Sequence, residues 1–380
     1  MNIRPGYWKT VLSVMMFFTI LLQGCIGQKP IKVGVIAELT GKQSDLGIAL
    51  RNGIQLAAEE INTAGGINGR PIELVIQDDL GTPQGAVDAE NLVIDQDVVA
   101  IIGHLTSNQT VEGYKVAEQR GVLLLSGTAS TTELSAKKDL FFRTEATNAV
   151  FAEVLAKYII QKKGLSSISI IYDMDNQTYS FPFADGFKQT LESLGGHVPE
   201  SVDFSGSATE DFAPLVSALI ASNPEGVFII ASPVNTATIA QLLRLNGWDG
   251  PLFAAPWSQG QDLITYGGEA VEGLESLVGF NVNDDAPAVQ EFKQKYDERY
   301  AEANPTFTAM FGYELMNVLA EGLEKTKGNA KGLGDALVQI GTFQGLEGPI
   351  YMDEFGDARR TLYIMRLENG TFSIVDEVEP

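Results

Sequence analysis

Two hydroxyl-rich segments hold the residues best suited to chemistry: Gly103-His104-Leu105-Thr106-Ser107-Asn108 and Ser126-Gly127-Thr128-Ala129-Ser130-Thr131-Thr132. Small residues let a ligand approach the backbone. Hydroxyls beside the free N–H groups of a helix start can grip a carboxylate. Ordinary N-capping by Ser and Thr is the plain alternative, and the presence of two such segments favours a site. Catalytic groupings do not emerge. Neither G-x-x-x-x-G-K-[ST] nor G-x-S-x-G occurs, and Gly65-Gly66-Ile67-Asn68-Gly69 departs from G-x-G-x-x-G and reads as a turn after a helix. His104 and His197 stand at strand ends, where a lone His is a polar terminator more often than a base. Asp78-Asp79 and Asp284-Asp285 read as loop charges. With one Cys and two His, neither an internal disulfide nor a His/Cys metal site is expected. The residues describe a binder without a cofactor, and no enzyme.

The segments that position these residues alternate strand and helix. Ile31–Ala37 is a short β-branched run, and Leu50, Ile54, Ala57, Ala58 and Ile61 then form one apolar helical face. Strands follow at Ile72–Gln77, Val98–Gly103 and Val122–Ser126, with helices at Pro83–Asp95 and 107–120 between them. A second block places helices near 148–162, 180–194, 209–222 and 235–246, and strands near 167–172, 198–204, 226–231 and 252–255. Near-continuous apolar strands joined through helices predict parallel sheets covered on both faces. Ligands bind at the carboxyl ends of such strands, which is where both hydroxyl-rich segments fall. The tail differs: helical patterns at 286–303, 307–326 and 329–340 precede strand-like runs at 348–352, 361–367 and 371–377, with Asn369-Gly370 as a hairpin signal.

The 380 residues suffice for about two domains. A formal charge of −23 repels phosphate backbones, so no nucleic-acid partner is expected. The first 24 residues read as a signal peptide: Arg4 and Lys9 are basic, and Thr10 to Leu22 is an apolar run too short for a comfortable membrane span. The run ends at Leu22-Gln23-Gly24-Cys25, which resembles a bacterial lipobox, with Gln a mild departure. Cys25 would then be lipidated and residues 25–30 would form a tether. A plain signal peptide with a chance Cys, or an uncleaved anchor, is the alternative.

From Ile31 onward the chain resembles the type I periplasmic solute-binding proteins of ABC transporters, in the branched-chain amino-acid (Leu/Ile/Val) binding group. The resemblance is carried by an ordered set: Ala37-Glu38-Leu39-Thr40-Gly41, Ala58-Glu59-Glu60-Ile61-Asn62, Gln77-Asp78-Asp79, Ile101-Ile102-Gly103-His104 with Ser107, and Thr128-Ala129-Ser130. It implies an α/β fold of two doubly wound parallel-sheet lobes joined by a three-strand hinge. The N-terminal lobe would comprise 31–145 plus 281–348, and the C-terminal lobe 146–280 plus 349–380. Crossings are expected near 144–147, 278–282 and 345–352. The resemblance also implies ligand-binding roles. Ser107, Thr128, Ala129 and Ser130 would hold the ligand carboxylate and ammonium, Tyr179 would close from the second lobe, and Leu46 would line the wall. Where the family places an acid for the ammonium, Trp257 stands here. A neighbour could supply the charge, the indole could partly replace it, or the ligand could lack an ammonium. The implied protein is a monomeric, extracytoplasmic, lipid-anchored receptor that passes a small carboxylate solute to ABC permease subunits. A hydrophobic amino acid leads as ligand, ahead of aromatic or aliphatic carboxylic acids and small amides. A sensor for a signalling partner is the functional rival.

Overall fold

The computed structural model describes residues 29–209, 211–301 and 305–379. The expected signal peptide, Cys25 and most of the expected tether lie outside these residues. The first lobe opens with β1 (Ile31–Ala37), α1 (Ser44–Thr63), β2 (Ile72–Asp78), α2 (Pro83–Ile94), β3 (Ala100–Ile102), α3 (Ser107–Arg120), β4 (Leu123–Ser126) and β5 (Phe141–Arg143). Its sheet runs β2-β1-β3-β4-β5, with every pair parallel. The chain then crosses at 144–147 and builds α4 (Asn148–Tyr158), β6 (Ile168–Asp173), α5 (Gln177–Ser193), β7 (Ser201–Phe204), α6 (Ala213–Ala221), β8 (Gly226–Ile230), α7 (Pro233–Leu245), β9 (Leu252–Ala254), α8 (Gln261–Gly267) and β10 (Glu275–Val278). The second sheet repeats the first: β7-β6-β8-β9-β10 has the same 2-1-3-4-5 order, all parallel. The two doubly wound lobes expected from the sequence are both present.

The two sheets share one physical origin. β1, β3, β4, β6, β8, β9 and β10 are buried almost throughout, because helices cover both of their faces. In a 2-1-3 order the connections leave β1 and β3 in opposite directions. A crevice therefore opens beyond their carboxyl ends, and another beyond those of β6 and β8. These two crevices face each other across the molecule.

The chain returns to the first lobe for α9 (Pro287–Tyr300), α10 (Phe307–Thr326) and α11 (Leu333–Ile340), followed by β11 (Thr342–Gln344), β12 (Pro349–Met352) and β13 (Ala358–Arg359). β14 (Leu362–Glu368) and β15 (Thr371–Val378) then extend the second sheet, β14 antiparallel to β10. Asn369 and Gly370, both at positive φ, make the two-residue turn between them.

The third crossing corrects the expected lobe boundary. Residues 349–359 do not open the second lobe. β12 pairs with β11 and β13 in a small antiparallel sheet, and Ile350, Met352 and Ala358 sit in the first lobe's core. The chain crosses only at Arg360-Thr361, so the first lobe takes 281–359. In sequence the run at 348–352 looks like a second-lobe strand, because strand composition does not reveal which sheet a strand joins. β5 and β10, which lead into the first two crossings, also escaped the sequence reading.

α10 is fastened to α1 by two glycines. A Cβ on Gly53 would run into the carbonyl oxygen of Ala309, and one on Gly312 into that of Leu50. The helices therefore touch backbone to backbone. Gly53→Ala is expected to cost about 1–3 kcal/mol by overpacking, measured as a lower chemical-denaturation midpoint. Gly186→Ala on α5 meets only the methyl of Ala152 at 3.4 Å and should leave the midpoint near or above wild type.

Candidate functional site

The facing crevices enclose one cavity between the lobes. The first lobe contributes Gln43 and Leu46 after β1, Leu105, Thr106 and Ser107 after β3, and Thr128 and Ser130 after β4. α10 adds Phe307, Thr308 and Phe311. The second lobe contributes Phe151 on α4, Asn176 and Tyr179 after β6, and Pro256, Trp257 and Gln259 after β9. The crossings supply Glu145, Gly279 and Phe280. Six of the seven expected binding residues are thus brought together: Leu46, Ser107, Thr128, Ser130, Tyr179 and Trp257. Ala129 is not. It is fully buried behind them, with its N–H donated to Ser126 Oγ at 3.2 Å and its carbonyl accepting from Arg143 Nη1 at 3.0 Å.

Ser107 stands at the start of α3, where the first N–H groups of the helix have no intrahelical acceptor. Its hydroxyl is buried and has no hydrogen-bond partner among the described residues. Such a donor is costly to bury unless something fills the site. Thr128 is committed to structure, since its hydroxyl donates to Leu105 O at 2.7 Å and approaches His104 O at 3.1 Å. Ser130 accepts the Asn148 N–H on its carbonyl at 2.7 Å, which joins the β4 loop to the start of α4. The Tyr179 hydroxyl faces the backbone N–H of Trp257, and burial holds its pKa well above the ordinary phenol value.

Trp257 plays a role that its sequence position does not reveal. Its ring meets Tyr179 edge-on at 6.0 Å, and its indole N–H donates to Gln43 Oε1 at 2.7 Å, across the cleft. The N–H is therefore spent on holding the lobes together, and the ring face remains for the cavity. A second strut lies at Asn108. Its N–H reaches Asn176 Oδ1 at 3.2 Å and its amide donates to Asp175 O at 2.7 Å. Its Oδ1 accepts from Thr178 N and Oγ1 at 3.0 and 2.6 Å.

Glu145 is the one ionisable acid among the described residues lining the cavity. Sequence reading missed it. The available signal was its place two residues beyond β5, inside the expected first crossing. Burial drives its pKa up to about 7, against the pull of the Arg360 charge and of the Ala146 N–H at 2.7 Å. Phe307, Thr308 and Phe311 were also missed. They belong to a long helix some 180 residues away in sequence from the hydroxyl-rich loops, and nothing local marks them. No cluster of His, Cys, Asp and Glu among the described residues could hold a metal ion.

Two crevices built from strand carboxyl ends, closing on a pocket with hydroxyls on one wall and aromatics on the others, define a two-lobed solute-binding protein. The chain belongs to the periplasmic binding protein family, which matches residues 30–371. It is 27% identical over 332 residues to the leucine-, isoleucine-, valine-, threonine- and alanine-binding protein of Pseudomonas aeruginosa, covering 87% of each chain. It is 26% identical over 350 residues to the Leu/Ile/Val-binding protein of Escherichia coli, covering 89% of this chain and 93% of that one. Among solved structures it resembles the leucine-binding protein LivK of Thermotoga maritima, with a TM-score of 0.85, 26% identity, and 92% and 99% of the two chains covered. Such relatives are solute-binding proteins rather than enzymes. No helix among the described residues is long and apolar enough to cross a membrane.

The Asn108 strut acts only when the lobes are together. Asn108→Ala is expected to weaken ligand binding by about 1–3 kcal/mol, roughly 5- to 150-fold, chiefly through faster release. Stopped-flow dissociation measures this, and an unchanged off-rate would show that the strut contributes nothing to closure.

Proposed function

We propose that this protein is the extracytoplasmic solute receptor of an ABC importer, and that it captures a hydrophobic, branched-chain-type amino acid in the interlobe cleft. The observation that carries the reading is the unpartnered Ser107 hydroxyl at the α3 N-terminus, opening into a pocket that joins a hydroxyl-bearing wall to aromatic and aliphatic side chains. A carboxylate fits there because the helix N-terminus and the Ser107 and Ser130 hydroxyls supply donors without any cation in the wall. Leu46, Phe151, Phe280 and Phe311 offer an apolar surface to the remainder of the solute. The amino acids for which the Pseudomonas, Escherichia and Thermotoga relatives are named agree with this chemistry. Transfer to permease subunits follows from the family's role. Work as a monomer completes the reading.

The same proposal places the protein on a membrane through a lipid at Cys25. Cys25→Ala should shift the protein from the membrane fraction to the soluble fraction, or block its processing. Wild-type fractionation of a processed mutant would refute the anchor.

The grip on the carboxylate has its own test. Losing a hydrogen bond to a charged group costs about 1.5–3 kcal/mol, roughly 10- to 150-fold in Kd. Ser107→Ala and Ser130→Ala should each show that loss toward leucine or isoleucine by calorimetry, with unchanged circular dichroism. Unaltered affinity in both would move the carboxylate elsewhere.

A further inference from the structure

We propose that Glu145, in the first crossing between the lobes, is the group that receives the ligand's ammonium, so that this protein selects amino acids over plain carboxylic acids from its hinge rather than from its second lobe. The inference rests on the carboxylate-binding reading above and adds the second half of the ligand.

Three observations meet at this carboxyl group. Glu145 lines the same cavity as Ser107 and is 5% exposed. Its Oε1 accepts only the adjacent Ala146 N–H, and its Oε2 receives no hydrogen bond from any described residue. Gly279, on the second crossing, leaves it room: a Cβ there would run into both carboxyl oxygens. The third observation is a missing partner. The buried Arg360 faces Glu145, Glu314 and Glu347, yet its guanidinium is directed at Glu314, with Nη1 at 2.8 Å from Oε2, and reaches Glu347 only at 4.0 Å. No ion pair reaches Glu145 from any described residue. With Arg360 committed to Glu314, the carboxyl group of Glu145 is left for an incoming cation. The ligand is the cation with access, because Glu145 opens on the cavity. Trp257, at the place where relatives were expected to carry the acid, has no charge to offer.

The groups facing Glu145 determine its pH behaviour. Burial raises its pKa most. Arg360 and the Ala146 N–H lower it, Glu314 raises it, and the value stands at about 7 in the unliganded protein. The Tyr179 phenol, also close, stays neutral. At pH 7 about half of the unliganded molecules therefore carry a proton on Glu145. A bound ammonium favours the charged carboxylate and expels that proton. Affinity for an amino acid is then nearly full above about pH 8, about twofold lower at pH 7, and falls by up to about tenfold per pH unit below that.

Calorimetry with leucine and with 4-methylpentanoate, its analogue without the amine, tests this on the mature protein. The expected result has three parts: release of up to about half a proton on leucine binding at pH 7, read from buffers of different ionisation enthalpy; no release with 4-methylpentanoate; and at least about 30-fold weaker leucine binding in Glu145→Gln, with 4-methylpentanoate unaffected or improved. The proton count needs no variant, so it stands even if Glu145→Gln folds poorly. Leucine binding with no proton release and no loss in Glu145→Gln overturns the ammonium role. Preference for 4-methylpentanoate in the wild type also overturns it, while the carboxylate site survives. Failure of both ligands to bind overturns the underlying reading as well.

Discussion

The buried guanidinium of Arg360 is where the molecule is tied together. It lies on the third crossing, stacks on Phe280 of the second crossing at 4.6 Å and on Phe311 of α10 at 5.2 Å, and pairs with Glu314. Glu145, on the first crossing, sits within its field. Glu347 in turn accepts the Asn281 N–H at 2.7 Å, and Glu314 accepts that of Leu346 at 2.7 Å. Burying a guanidinium is unfavourable until carboxylates and aromatic faces surround it. The three crossings can satisfy it only when they lie side by side. One interaction therefore fixes the hinge, presents Phe280 and Phe311 to the cavity, and leaves Glu145 partly uncompensated there.

The first-lobe loops depend on a second buried network. His104 follows β3 and is 1% exposed, with Nδ1 at 2.7 Å from Asp79 Oδ2 and Nε2 at 3.8 Å from Glu90 Oε1. Burial works against a charged ring, but Asp79 and Glu90 prevail and push its pKa up to about 9. Its backbone carbonyl, with that of Leu105, receives the Thr128 hydroxyl. The β3 and β4 loops are thus locked to each other from behind, which holds Ser107 and Ser130 at their places on the wall. The sequence reading of His104 as a polar terminator understated it: the residue is a buried ion-pair partner supporting the site.

What the sequence made legible was whatever is periodic or local. The doubly wound alternation, the long helix through Leu50 and Ile61, the Asn369-Gly370 hairpin and both hydroxyl-rich loops could all be read, because burial on two faces, helical spacing and turn chemistry leave marks within a few residues. Sheet membership does not leave such marks. β12 looks like a second-lobe strand and belongs to the first, and α10 closes the cavity from a stretch with no binding signature. Ala129 shows the same limit at the scale of one residue. It lies between two wall residues in sequence, but the turn of the loop points its N–H and carbonyl inward, to Ser126 and Arg143.

The division of labour across the cleft follows from these constraints. The first lobe is locked from behind and can hold a carboxylate at fixed geometry. The second lobe reaches over with Tyr179, Trp257 and Asn176, and its contacts with Gln43 and Asn108 form only when the lobes meet. A ligand gripped by the first lobe alone cannot bias closure, because only contacts that differ between open and closed states shift that equilibrium. In the proposed reading, an apolar solute body lying between Phe311 and Phe280 on one side and Tyr179 and Trp257 on the other would be the part that can. Capture would then depend on the hydroxyl wall, and closure on the size and shape of the side chain. A solute with the right carboxylate but too little apolar bulk would be held in an open cleft.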